Sequence, residues 1–338
     1  MRQLRHVMRT LGLIIGFGVL AATTQAQQFK HPGIELYRQG KFDQAITSLE
    51  AASKQKEFSN NSDIWNTLGL AYFAKDDIKK SRKAFETAIK IAPNVAAFHG
   101  NLSYLYLLTQ KMDDSRREAE TAIRLDPKDT NAQFVLGRVE LSDEKFDEAD
   151  KYAAKVIEIN PASPDGYMLR ADILLSKLGK LVGAGWDVRD EIDLLKQAND
   201  VLKTGAERSR THPNHKSIDD ESESVGAFYT HYSKEPSDGT AISGAAVPSN
   251  VRPLVIIRKP LPTYTDRARA SGLSGRVRIA VLFGADGQVR HTLILQSLGS
   301  GLDEMALNAA RRIEFVPQMV DGKPVSVVKT IEYSFSVY

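Results

Sequence analysis

Residues 62–95 read SDIWNTLGLAYFAKDDIKKSRKAFETAIKIAPNV, and the first half of the chain takes its fold from this stretch. Trp65, Leu68 and Tyr72 recur at helical spacing, and Phe85 and Ala88 do so again after a polar break. Pro93 closes the second run, because a proline cannot continue a helix. The pattern then repeats. Pro93, Pro127 and Pro161 stand 34 residues apart, each after an apolar helical run: AIKIAP, AIRLDP, VIEINP. Counting back gives units 62–95, 96–129 and 130–163.

The first unit carries Trp65-x-x-Leu68-Gly69-x-x-Tyr72, then Ser81, Phe85, Ala88 and Pro93. Leu102, Ser103, Tyr106, Ser115, Ala122 and Pro127 fill the matching slots of the second; Leu136, Gly137, Phe146, Ala149 and Pro161 fill those of the third. Upstream, Gly40, Phe42, Ala45, Leu49 and Ala52 mark a further unit, 28–61. This resembles the tetratricopeptide repeat, with Ser81 where Ala is usual at the helix crossing. Each unit is read as two antiparallel helices, brought close by Gly69, Gly137 and Ala149, with Trp65, Tyr72, Phe85 and Pro93 as packing residues. One unit cannot bury its own apolar face, so neighbours must stack into a solenoid. The resemblance implies a concave peptide-binding groove at Asp63, Asn66, Leu70 and Phe73, then Gly100, Tyr104 and Leu107, then Asn131, Phe134 and Arg138.

Residues 164–205 read as capping helices, with Val188, Ile192, Leu195 and Leu202 on one face and a connection loosened at Gly179, Gly183 and Gly185. Residues 206–250 are polar, rich in Ser, Gly and Pro, and read as a disordered linker. From 251 a small α+β unit begins. Val277, Ile279, Val281 and Phe283 alternate as a strand; Asp286-Gly287 turns the chain; Val289, His291, Leu293 and Leu295 return. A helix from Leu302 presents Met305, Ala306 and Ala309, and after a second Asp-Gly turn at 321–322 a last strand places Ile331, Tyr333, Phe335 and Val337 on one face.

These residues resemble the TonB C-terminal domain over 252–338: Pro262-x-Tyr264, Ala268, Gly272, Gly275-x-Val277, Asp286-Gly287-x-Val289 and Ser297-x-Gly299. Leu302-Asp303-x-x-Ala306-Leu307, Phe315-x-Pro317 and Gly322-x-Pro324-Val325 continue it. Thr265 departs from the Pro often found there, and Ile313-Glu314 stand where an aromatic is common. The resemblance implies a three-stranded antiparallel sheet with helices, whose last strand, Val325 to Val337, offers a free edge. Members of the family pair a short segment of an outer-membrane receptor with that edge as an added strand. The implied contact residues are Val325, Val327, Val328, Lys329, Thr330, Ile331, Tyr333 and Phe335, with Pro262 and Tyr264 close by.

The amino terminus sets the expected compartment. Arg2, Arg5 and Arg9 precede LGLIIGFGVLAA, 12 apolar residues, and TTQA supplies small residues before a cleavage point after Ala26. A spanning helix needs about 20 apolar residues, so 1–26 reads as a secretory signal peptide and the mature protein as periplasmic. The other reading is an uncleaved anchor in the inner membrane, facing the periplasm, which would allow contact with a proton-driven inner-membrane complex.

Composition is that of a soluble protein, 42% hydrophobic and 26% charged. Residues 249–338 hold 12 Lys/Arg against 7 Asp/Glu, too few and scattered for nucleic acid. The absence of cysteine excludes disulfides, thiol catalysis and a lipoprotein anchor. His212 and His215 lack a third ligand at metal-binding spacing, and Asp219-Asp220-Glu221 reads as a solubilising run. Neither Gly-x-Ser-x-Gly, a phosphate loop nor His-Glu-x-x-His occurs. The expectation is a protein-binding protein without catalytic residues, cofactor or metal, either an energy transducer or adaptor for outer-membrane receptors, or a scaffold of an envelope complex.

Overall fold

A computed structural model describes residues 31–183, 192–233, 250–270, 272–299 and 301–336. The expected signal peptide and Val188, Gly185 and Val337 lie outside these residues. No described helix is long and apolar enough to cross a membrane. The chain divides into two compact units, one running to Leu169 with Arg208–Ser217, the other comprising Arg170–Glu207 and everything from Ile218.

The first unit contains four helix pairs: α1 (Pro32–Arg38) with α2 (Phe42–Ser53), α3 (Ser62–Ala74) with α4 (Ile78–Ile91), α5 (Ala96–Leu108) with α6 (Met112–Leu125), and α7 (Thr130–Ser142) with α8 (Phe146–Ile159). Every first helix ends the same way. Gly40, Asp76, Gln110 and Glu144 each adopt a left-handed φ between 57° and 72°, two residues before the next helix. The following amide then reaches back into the helix: Lys111 N–H to Tyr106 O at 2.9 Å, Asp77 N–H to Tyr72 O at 2.9 Å. This is the Schellman closure, which satisfies carbonyls that the last turn leaves open.

Close helix approach is built from small residues. A Cβ on Gly69 would stand 2.6 Å from the Phe85 ring, and one on Gly137 would stand 2.6 Å from a Leu169 methyl. Ser81 does more than substitute for Ala. Its hydroxyl donates to the Gly69 carbonyl at 2.8 Å, and Ser115 repeats the bond to Ser103 at 2.9 Å, so the crossing carries a hydrogen bond as well as packing. Phe85 is fully buried and Tyr72 nearly so, whereas Trp65 is half-buried with its indole N–H on the Ser59 carbonyl. Pro93 does not pack: its ring is exposed, and only its carbonyl is used, by His99 Nε2 at 2.9 Å.

Three further helices follow: α9 (Asp165–Gly183), α10 (Ile192–Arg208) and α11 (His215–Ser233). Leu195 and Leu202 of α10 are fully buried, and Ile192 is half-buried. Gly179 and Gly183 lie within α9 rather than in a loosened connection. The larger correction is α11. It occupies much of the stretch read as linker, because Ile218, Val225 and Phe228, 7 and 3 residues apart, share one buried stripe despite the polar residues between them. Residues 234–249 of that stretch lie outside the described residues.

The second unit holds β1 (Val251–Arg252), β2 (Val255–Arg258), α12 (Asp266–Ala270), β3 (Gly275–Phe283), β4 (Val289–Gln296), α13 (Leu302–Ala310), β5 (Glu314–Val316), β6 (Gln318–Val320), β7 (Lys323–Val325) and β8 (Val327–Phe335). The main sheet has the order β4-β3-β8, all antiparallel. Two small ribbons, β1-β6-β7 and β2-β5, accompany it. Asp321 (φ 50°) and Gly322 (φ 75°) form the β6–β7 hairpin, a pair of left-handed residues whose twist suits the flanking strands. Val277, Ile279, Val281 and Phe283 of β3 are fully buried against Leu302, Ala306 and Ala309 of α13. The return strand differs from its expected phase. A register shift where Phe283 meets Val289 and Leu282 meets His291 consumes a residue. Thr292 and Ile294 therefore stand opposite Val281 and Ile279, Leu293 stands opposite Ala280, and Leu295 falls at a second register shift, between Ile294 and Gln296.

Candidate partner-binding surfaces

In the second unit, β8 runs beside β3 without interruption, from Val327 opposite Phe283 to Phe335 opposite Gly275. No described strand pairs with its other side. Its side chains alternate: Ile331, Tyr333 and Phe335 are buried in the core, while Lys329, Thr330 and Ser334 are exposed and Val327 and Val328 half-buried. What β8 offers outward along its edge is main-chain N–H and C=O. Val325 does not belong to it. That residue sits on β7 opposite Gln318, because the Asp321-Gly322 turn folds β7 back onto β6 and Ser326 intervenes before β8 begins.

Tyr264 stands beside the end of this strand. Its ring meets Phe335 edge-on at 6.0 Å, and its hydroxyl donates to the Leu273 carbonyl, so the residue is fixed at both ends. Pro262, two residues away, is half-buried. A residue the sequence reading passed over joins them. Lys259 Nζ donates to the Glu332 carbonyl at 2.7 Å and lies 4.8 Å from the Tyr333 ring centre. One acceptor of β8 is thus held by a side chain. The signal in the sequence is Lys259-Pro260, a cation next to a residue that keeps the chain extended beside the strand. Burial pushes the Tyr333 hydroxyl up to about 12.

In the first unit, the expected groove residues divide by exposure. Leu70, Phe73, Tyr104 and Leu107 are buried. The Tyr104 ring lies between Phe73 (6.1 Å, edge-on) and Phe134 (6.5 Å, tilted), an aromatic row through three repeats. Asn66 is engaged from the next repeat: the buried Asn101 side-chain amide donates to its oxygen at 2.9 Å. Asp63 is exposed, and Asn131, Phe134 and Arg138 are half-buried. Tyr104, Asn131 and Phe134 come together in a cavity of about 30 Å³ that also involves Thr130, Val156, Asn160, Ser163 and Asp165. The structure does not bring Asp63, Asn66 or Arg138 to that cavity. Asp165 was missed because 164–205 has no clean repeat, yet one more step of 34 from Asn131 reaches it.

Among the described residues no group of three or more His, Cys, Asp or Glu is placed to hold a metal ion. Asp219 and Asp220 are exposed on α11.

Comparison with known proteins gives family matches to two separate parts of the chain. Residues 260–337 match the family model of the Gram-negative bacterial TonB protein C-terminal domain, and residues 33–96 and 101–164 match a tetratricopeptide repeat model. Protein TonB of Vibrio cholerae serotype O1 is 30% identical over 97 residues, 28% of this chain; the chain spans only 40% of that relative's length. Among solved structures, MamA is 20% identical with a TM-score of 0.43, covering 54% of this chain and 99% of its own. A thermophilic TPR protein of Thermus thermophilus is 16% identical with a TM-score of 0.45, covering 58% and 95%.

Proposed function

Because the chain joins tetratricopeptide repeats to a TonB C-terminal domain, we propose that it is a periplasmic protein-binding protein that takes a segment of an outer-membrane receptor along β8. In this reading it acts as an energy transducer or adaptor, and its repeats recruit a further envelope protein. The observation that carries the reading is the one-sided pairing of β8. A guest chain laid there gains main-chain hydrogen bonds in the manner of an added strand, with little demand on its own side chains. Tyr264 and Lys259 flank the same edge and support a guest that enters at a fixed end.

The test uses the full chain and synthetic receptor-box peptides, with binding followed by calorimetry. The expected result is saturable binding that is abolished when alternate peptide amides of the guest are N-methylated on one edge and retained when they are methylated on the other. Equal binding of both methylated series, or none of the parent peptide, would overturn the reading. A second reading, a scaffold without a transducing role, is favoured by the cavity on the repeats, which gives the first unit its own place for a partner. Receptor peptides that fail to bind, with envelope partners still held through the repeats, would select it.

A further inference from the structure

The cavity on the repeat array combines three chemistries. Tyr104 and Phe134 supply aromatic rings, Thr130, Asn131 and Asn160 supply neutral polar groups, and Asp165 supplies a carboxylate. Ser163 donates its hydroxyl to Asp165 Oδ2 at 2.6 Å. Burial pushes the Asp165 carboxyl up, offset in part by Ser163 and by the charge His212 would carry. The Nδ1 of His212 accepts the Asn214 amide at 3.2 Å, an arrangement that favours the neutral ring. Burial lowers its basicity in the same sense. The Asp165 carboxyl is therefore desolvated, held by a neutral hydroxyl, and without a cation bonded to it among the described residues.

We propose that this cavity receives a primary ammonium, the head of a lysine side chain on an extended segment of the partner protein, seated by the Tyr104 and Phe134 rings with its charge on Asp165. The inference rests on the reading that the repeats take a partner segment. Ring faces attract a cation electrostatically, and a cation bonded to a carboxylate makes a charge-assisted hydrogen bond. The space is small, about 30 Å³ against the roughly 10–15 Å³ that one water-sized group needs, which suits a compact ammonium head better than a planar guanidinium. A purely structural role also suits Asp165, because it opens α9 and an acidic side chain is favourable there. Asparagine removes that charge from the helix start as well as from the cavity, so the two roles are separated by ligand affinity and by Phe134→Leu, which leaves the helix start untouched.

The experiment titrates the full chain with n-butylammonium, N-butylacetamide and n-butylguanidinium while following the amide resonances of Asn131, Asn160 and Gly166. Two tripeptides, acetylated Ala-Lys-Ala amide and free Ala-Ala-Ala amide, separate the lysine head from an amino terminus. The expected result is saturable shifts with n-butylammonium and the lysine peptide only. Asp165→Asn should weaken binding at least about tenfold, or about 1.4 kcal/mol, beyond the small drop in melting temperature that the lost helix-start charge brings. Phe134→Leu, conservative in volume, should weaken it severalfold and keeps the test open should Asp165→Asn fold poorly. No saturation, an equal response to the neutral or guanidinium ligand, binding of the free tripeptide alone, or unchanged affinity in both variants would overturn the proposal. If the ligands bind as expected but the repeats hold no envelope protein, the broader reading fails and the cavity chemistry stands. If a partner is held equally well by Asp165→Asn, the cavity proposal fails and the broader reading stands.

Discussion

The imidazole of His99 is clamped between two acceptors, with Nδ1 2.8 Å from the Glu118 carboxylate and Nε2 2.9 Å from the Pro93 carbonyl. A carbonyl only accepts, so Nε2 carries a proton, and the carboxylate opposite Nδ1 favours a second one. The pair joins the loop before α5 to α6.

A pH dependence follows. The hydrogen bond to Glu118 raises the His99 pKa above its ordinary 6.5, against desolvation. Stability from a raised histidine is fully present below the unfolded pKa and is lost as pH rises through the folded one. Urea unfolding of the full chain should show stability falling above about pH 6.5. Glu118→Gln should flatten that slope and cost on the order of 1.5–3 kcal/mol at about pH 6, as expected for a hydrogen bond to a charged group. An identical slope in the variant would refute the assignment.

Gly69→Ala puts a methyl 2.6 Å from the Phe85 ring, which is itself fully buried and has nowhere to retreat. Overpacking of this kind costs about 1–3 kcal/mol. The repeat array should melt earlier by circular dichroism. Gly40→Ala is the contrasting case, since no atom lies near its Cβ and only the left-handed φ of 72° opposes it.

Gln110→Gly should raise stability. Gln110 holds φ at 59°, a region costing an L-residue about 1–2 kcal/mol, while glycine gives back part of the gain in unfolded-state freedom. A net gain of roughly 0.5 kcal/mol in chemical denaturation is expected, whereas a loss would show that the side chain has a stabilising role there.

Lys259→Ala frees the Glu332 carbonyl. Under the proposed function, a guest strand then gains one acceptor, worth about 1 kcal/mol net, so receptor peptides should bind about fivefold tighter. Weaker binding would mean that the ammonium contacts the guest itself.

Much of the repeat array was legible because its period lives in residue identity: the Gly69, Ser103, Gly137 series and the Ser81, Ser115, Ala149 series each recur at 34. The two Asp-Gly turns were legible because glycine tolerates their backbone. Three features were not. The β4 phase depends on a bulge, which leaves Leu293 and Leu295 alternating as if nothing had been consumed. α11 hides its stripe of Ile218, Val225 and Phe228 among acids and serines. Val325 reads as continuous with Val327, and only the pairing of β7 with β6 sets it apart. In the candidate sites Phe73, Tyr104 and Phe134 were named as groove positions but not as an aromatic row, and Lys259 and Asp165 were not named, since each acts through a neighbour distant in sequence or outside the repeat pattern: Glu332 is 73 residues from Lys259.

The rungs of β8 are chemically alike, repeating every two residues. A guest shifted by one such step would find the same donors and acceptors, so slippage is cheap unless something marks a starting rung. Lys259, parked on Glu332, is such a mark, and the alignment of a visiting chain would be decided there by a single ammonium rather than by the strand it lies on.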